Sequence, residues 1–289
     1  MSRRGWLLFL AMSLIWGIPY LLIRVAVREF SPPTLVFART LPAALLLLPV
    51  AHFRGALRPV LARWRWILLF AVVELAVPWF MLSRAEQHLP SSTAGLLIAS
   101  VPLMASLIYR FSPHADRLDR RRLVGLIIGF AGVAALVGID VGGSDLLALG
   151  EMAVVALGYS LGPLLISLRL SDLPSLGVVS VAMTVTACAY APFALTRLPH
   201  HMTLEVAAAV LTLAVVCAAV AFIVFFALIA EVGPSRSTVI TYVNPAVAVL
   251  LGVLVLGEHF TVGIAVGFPL ILLGSVIATA REAPVVAAQ

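Results

Sequence analysis

The sequence predicts an all-α membrane protein with ten transmembrane helices, arranged as two inverted five-helix repeats. Three observations carry that prediction: an extreme apolar composition, ten apolar stretches of membrane-crossing length, and a match between the two halves of the chain. Of 289 residues, 62% are hydrophobic and 11% charged, and the mean hydropathy is +1.12. A soluble domain has about 45–50% apolar and about 25% charged residues, so a water-soluble globular protein is excluded. A helix needs about 20 apolar residues to cross a bilayer. Ten such helices with short loops use nearly the whole chain and leave no room for a soluble catalytic domain.

The stretches run over 6–26, 33–53, 66–84, 90–110, 122–140, 146–167, 174–196, 206–229, 234–256 and 261–280. Turn signals stand between them: Ser31-Pro32-Pro33, Leu89-Pro90-Ser91, Gly142-Gly143-Ser144, Asp172-Leu173-Pro174 and Gly233-Pro234. None of the stretches shows the period-2 alternation of a membrane barrel strand. A helix satisfies its own backbone hydrogen bonds in lipid, so helices are expected throughout. Ser2-Arg3-Arg4-Gly5-Trp6-Leu7 looks like a twin-arginine export signal. The apolar run behind it is too long for a signal core, so it is read as a retained first helix held by an arginine pair.

All 19 basic residues are arginine. Without lysine there is no phosphate-binding loop of the GxxxxGK[ST] type and no retinal or pyridoxal Schiff base, which excludes an ATP-driven pump within this chain and a rhodopsin. The basic pI of about 10.1 does not point to nucleic acid, because the arginines stand at helix ends, where they orient membrane proteins. With a cytoplasmic N-terminus, fourteen arginines fall on the cytoplasmic side: residues 3, 4, 54, 58, 63, 65, 110, 117, 120, 121, 122, 169, 236 and 281. Four fall opposite (Arg24, Arg28, Arg84, Arg197), and Arg39 lies inside the second helix. Both termini are therefore expected in the cytoplasm. Cys188 and Cys217 sit in apolar runs without a CxxC, and the six histidines stand in loops or at helix ends. No metal site or cofactor is expected.

The halves align at an offset of 142–143 residues. Residues 17–23 (GIPYLLI) match 160–166 (SLGPLLI), and 71–77 (AVVELAV) match 214–220 (AVVCAAV). Pro102 matches Pro245, Gly125 and Gly132 match Gly267 and Gly274, and Asp116-Arg117-Leu118-Asp119 matches Glu258-His259-Phe260-Thr261. The expected division is 1–140 and 141–289, with a short cytoplasmic tail. Five helices per copy turn the second copy upside down. Inverted repeats characterise secondary transporters, whose site lies near the midplane at the repeat interface.

Three stretches carry a resemblance to a known family: Ser13-Leu14-Ile15-Trp16-Gly17; Ala85-Glu86 with the Pro-Ser entry to helix 4 and Pro102; and residues 235–245 (SRSTVITYVNP) with Leu256-Gly257-Glu258 and Gly267…Gly274. They resemble the EamA-type ten-helix members of the drug/metabolite transporter superfamily, over about 6–280. The resemblance implies a bacterial inner-membrane protein working by alternating access on small organic solutes, amino acids and related metabolites or drugs among them, often outward. It also implies a site built from helices 1, 3, 4, 6, 8 and 9. Distant relatives carry sugar phosphates and nucleotide sugars. One departure is Asp116-Arg117, where members often have a Gly-Glu pair like Gly257-Glu258.

Glu74 is the most informative residue, an acid near the middle of helix 3 whose repeat partner is Cys217. A carboxylate at this depth costs a few kcal/mol or more and faces a cavity or the bundle interior. It is read as a proton-coupling site, as a partner for a substrate amino group, or as a neutral acid bonded between helices. Helices 1 and 6 share breaking chemistry: Gly17 and Pro19 in one, Ser160 and Pro163 in the other, with Trp16 matched to Tyr159 and Tyr20 on the same stripe. These line a cavity or pack helices closely.

Helices 4 and 9 form the second pair. Ser92, Gly95, Ala99, Pro102 and Ser106 form a stripe in helix 4, with Ser100 beside it, and Ser237, Thr241, Asn244 and Ala248 follow helical spacing in helix 9. Asn244, the chain's single Asn and next to Pro245, contacts a polar substrate or the carbonyl freed by that proline. Trp79 and Tyr242 supply an aromatic lining, or core packing and an interface belt. Arg39 is expected to snorkel to the near interface, with a substrate carboxylate as its other partner. Gly125-x3-Gly129 and Gly263-x3-Gly267 have the spacing for close helix contact, within the chain or between the copies of a homodimer. A channel-like facilitator and a membrane-embedded enzyme are the rival readings. The enzyme lacks an intramembrane histidine, a GxSG turn and a pair of intramembrane aspartates.

Overall fold

A computed structural model describes residues 2–109, 120–141, 145–199, 201–233, 237 and 239–279. Among these residues there are helices and no strands. Nine helices are long and apolar enough to cross a membrane: α1 (Arg3–Ala26), α2 (Pro32–Phe53), α3 (Trp64–Ala85), α4 (Ser91–Ile108), α5 (Arg120–Ile139), α6 (Leu146–Leu170), α7 (Ser175–Leu195), α8 (Leu204–Val232) and α10 (Val262–Thr279). A shorter apolar helix, α9 (Ile240–Leu256), completes the ten. The segment 110–119, with Arg110, His114 and Asp116–Asp119, lies outside the described residues, as do Gly142–Ser144, His200, Pro234–Arg236, Thr238 and Arg281.

The helices are apolar all round, as membrane spans are. On α1, Leu7, Leu10 and Leu14 are exposed, whereas Phe9, Met12, Ser13 and Gly17 are buried. One side of the helix therefore faces lipid and the other faces the bundle.

The packing obeys a two-fold exchange of α1 with α6, α2 with α7, α3 with α8, α4 with α9 and α5 with α10. The pairs α2/α7, α5/α10 and α4/α9 pack on each other, while α1 packs on α8 and α9 as α6 packs on α3 and α4. Individual contacts repeat too. Gly17 of α1 lies against the Asn244 carbonyl of α9; its repeat mate Ser160 of α6 lies against the Val101 carbonyl of α4, the mate of Asn244. The α5/α10 seam is glycine on glycine: a Cβ on Gly274 would collide with the backbone of Gly129, and one on Gly125 with that of Ala278. Close backbone approach of this kind drives helix association in lipid. Here it is used within the chain.

Both described ends lie on one face. Ser2 Oγ donates to Glu231 Oε1 at the end of α8 (2.5 Å), and Tyr242 at the start of α9 shares a 2.7 Å hydrogen bond with Thr279 at the end of α10. Ser2 and Thr279 thus mark a terminal face, and the other end of the bundle is the opposite face.

The proline sites differ between the repeats. In α1 the helix breaks at Ile18, after Gly17 and before Pro19, which has no N–H to continue the ladder. In α4 it breaks at Ala99-Ser100 ahead of Pro102. The loosened carbonyls find hydroxyls: Ser275 Oγ donates to Ala99 (3.1 Å) and Ser100 Oγ to Leu97 (2.6 Å). Pro163 and Pro245, expected to break their helices in the same way, lie inside the unbroken helical segments Leu146–Leu165 and Ile240–Leu256. A proline by itself therefore does not decide where a helix breaks.

Candidate functional site

A π-helical turn interrupts α3 at Ala71–Ala76, and another interrupts α8 at Val215–Val220. Such single-turn insertions concentrate at functional sites. They contain Glu74 and Cys217, the residues that the repeat pairs. Gly158 and Gly162 of α6 let the α3 turn come close: a Cβ on Gly158 would strike the Val73 carbonyl, and one on Gly162 would strike the Glu74 carboxylate. Glu74 Oε2 is shielded from the surface and has no hydrogen-bond partner. The Tyr190 hydroxyl of α7 donates to the Ala76 carbonyl (2.9 Å), closing the turn from outside.

One turn further along α3 lies Trp79, buried, with the Arg39 guanidinium 3.6 Å above its ring centre. Arg39 does not snorkel: it is 3% exposed, and its Nε and Nη1 have no hydrogen-bond partner. The indole face compensates part of the cost of burying the cation, which holds the side chain inward. Tyr20 of α1, Tyr159 of α6, Glu86 at the end of α3 and Cys217 of α8 are within electrostatic reach of it. Arg39 stands seven residues from Pro32, and Tyr20 and Trp79 stand six from Ala26 and Ala85. At about 1.5 Å per residue, all three lie about 10 Å inside the opposite face.

Charged residues flank this cluster toward that face. Glu86 is fully buried, neither carboxylate oxygen has a hydrogen-bond partner, and its backbone carbonyl accepts a bond from Arg24. Glu151 of α6, 5% exposed, pairs with Arg84 of α3 at 3.0 Å. Glu258 accepts the N–H groups of Ser91 (2.7 Å) and Ser92 (2.9 Å), capping α4. The left-handed Gly257 (φ 67°) turns the chain for it, and the Glu258 N–H returns to the Gly252 carbonyl (3.0 Å). The Gly257-Glu258 pair is thus a helix cap reaching across the repeats.

Tyr20, Trp79 and Glu74 all lie within interaction reach of Tyr159. The other candidates lie elsewhere. Trp16 packs on Phe225 (4.7 Å) and Phe222 (6.0 Å) of α8. Ser160 Oγ lies 2.6 Å from the Ala156 carbonyl and 3.1 Å from that of Val101, and its single proton serves one of them at a time. In the amide orientation that satisfies both groups, the Asn244 nitrogen donates to the Ile240 carbonyl (2.9 Å) and the Ser13 carbonyl (3.2 Å), tying α9 to α1. Thr241 and Tyr242 sit in the first turn of α9, at the terminal face. Two cavities, of about 600 and about 280 Å³, lie at helix ends: one beside Arg63, Trp66 and Arg169, the other beside His88, Thr93 and Glu258.

Reading the sequence missed Arg39 and Glu86 as buried groups, and missed Glu151 altogether. Glu151 carried the same signal as Glu74, an acid within an apolar run. Glu86 follows Arg84 at a helix end and reads as solvated.

The comparisons with known proteins agree with this architecture. The model of the EamA-like transporter family matches residues 3–138 and again 146–280. The inner membrane transporter YedA of Escherichia coli (strain K12) is 32% identical over 260 residues, 86% of this chain and 81% of that protein. The transporter YvbV of Bacillus subtilis (strain 168) is 25% identical over 94% of this chain and 90% of its own length. A crystal structure 22% identical to the chain superposes with a TM-score of 0.66, covering 96% of this chain and 97% of its own, a likeness of fold. Two family matches, one per five-helix bundle, with a relative 32% identical over most of both chains, make this a membrane transporter: the chain belongs to the EamA-like transporter family.

Proposed function

We propose that the protein is a secondary carrier that moves small organic solutes, amino acids or related metabolites or drugs, across the inner membrane by alternating access, and that it works as an exporter. The observation that supports this reading best is the cluster of buried charged and aromatic side chains at the contact of two symmetry-related bundles. Arg39, Trp79 and Glu74 come from one bundle and Tyr159 from the other. Burying charge at this depth is costly and marks a substrate or ion pathway. A two-fold related pair of bundles can rock about such a site. Glu74, with one carboxylate oxygen unpartnered, is the candidate proton carrier.

The arginine count supports a cytoplasmic location for both termini, with the opposite face as the outer one. The repeats divide at 140/141.

The test is solute counterflow in proteoliposomes. A pooled solute screen at two pH gradients identifies what is carried, and vesicles are then preloaded with unlabelled solute. A carrier accelerates labelled uptake. A channel-like facilitator does not, and the absence of saturable flux for every pool would end the transport reading.

A further inference from the structure

Arg39 is a buried cation without an acidic partner in contact. Its Nε and Nη1 donate to nothing, and Glu86, the acid within electrostatic reach, does not serve them: neither of its carboxylate oxygens has a hydrogen-bond partner. Leaving charged donors unpaired in a low-dielectric interior costs more than leaving a neutral group unpaired. The compensation present is the Trp79 ring, 3.6 Å away, which touches the guanidinium through its face. A guanidinium lying on a ring still radiates its N–H groups outward in its own plane, where a planar anion can meet them. Within electrostatic reach of it lie the phenols Tyr20 and Tyr159, the thiol Cys217 and the carboxyl group of Glu86, from both repeats and none of them an acid in contact with the guanidinium. The arrangement lacks one component, a negative group small enough to lie between these helices.

We propose that Arg39, seated on Trp79, is the anchor for the anionic group of the transported solute, and that this group is a carboxylate. The inference rests on the carrier reading of the same site. It adds that the solute must bear an acid, and that the residue recognising it is an α2 arginine held by an α3 tryptophan. A charge-assisted guanidinium–carboxylate contact is among the strongest hydrogen bonds in proteins. Its formation across the bundle contact links solute binding to both repeats.

The full-length protein in detergent tests this by tryptophan fluorescence, with Trp79 as the responding residue and Trp79→Phe as its control. The probes are acid–amide pairs of equal shape: acetate and acetamide, benzoate and benzamide, 3-phenylpropionate and 3-phenylpropionamide. The expected result is saturable quenching by at least one acid and binding at least tenfold weaker for its amide. Arg39→Gln abolishes the preference and Arg39→Lys keeps part of it. Equal titration of acids and amides, or no titration by any acid, overturns the proposal using unmodified protein alone, so a misfolded variant cannot hide the answer. Counterflow read in parallel separates the two claims. Saturable flux without acid preference sinks the anchor and leaves the carrier, whereas acid-selective binding without flux does the reverse.

Discussion

Arg39 and Trp79 form a face-on contact of 3.6 Å between adjacent helices α2 and α3, and the arginine is 3% exposed. A cation on an indole is worth about 0.5–2 kcal/mol, more when desolvated. Trp79→Leu should therefore release Arg39 and lower saturable uptake about tenfold or more. Trp79→Phe keeps an aromatic face and should retain most of the activity. Equal loss in both variants would mean that Trp79 acts by shape alone.

Glu74 and Gly162 are a steric pair: a Cβ at Gly162 collides with the carboxylate. Overpacking of this kind costs about 1–3 kcal/mol, so Gly162→Ala should lower the melting temperature in detergent. In a Glu74→Ala background the same change should cost little. Additive losses in the double variant would contradict the contact.

Glu74→Gln keeps the shape and removes the titration. The pH dependence of uptake should flatten while the protein still folds. An unaltered profile at an unaltered rate would remove Glu74 from the mechanism.

The Arg84–Glu151 pair is lopsided. The carboxylate side chain is 5% exposed and the arginine 42%. Removing the arginine strands a buried charge, which costs about 3–5 kcal/mol, whereas removing the acid leaves an arginine free to reach water. Arg84→Gln should therefore destabilise the protein more than Glu151→Gln in thermal unfolding. The reverse order would contradict the burial of Glu151.

Glu258 satisfies two backbone donors of α4. Glu258→Ala should cost about 0.5–2 kcal/mol, the range for losing a helix cap, and Glu258→Gln less. A neutral effect of both in thermal unfolding would show that water replaces the cap.

Much of the fold was legible in the sequence because apolar length and turn residues report helices in lipid directly. The expected stretch 33–53 and the observed α2 (Pro32–Phe53) differ by one residue. The repeat was legible as well, down to the pairing of Glu74 with Cys217; that both stand in π turns was not. Side-chain direction was not. Arg39 reads as snorkelling because a long stem permits it, and what holds the side chain inward is Trp79, forty residues away in sequence. Pro19 and Pro163 read alike, yet one stands at a break in its helix and the other inside an unbroken segment. Asn244 reads as a ligand for solute or as a partner for a freed carbonyl, and the packing adds the Ser13 carbonyl of α1 within reach of its amide.

The central claim is that one site, enclosed by two mirrored bundles, opens to each side of the membrane in turn. Single-cysteine accessibility tests it most directly, with Tyr159→Cys in a background lacking Cys188 and Cys217 and an impermeant thiol reagent applied from either side of oriented vesicles. The account predicts that the thiol reacts from one side at a time, and that a saturating transported solute or a reversed pH gradient shifts the reactive side. Labelling from both sides at once, or from neither under any condition, would contradict it.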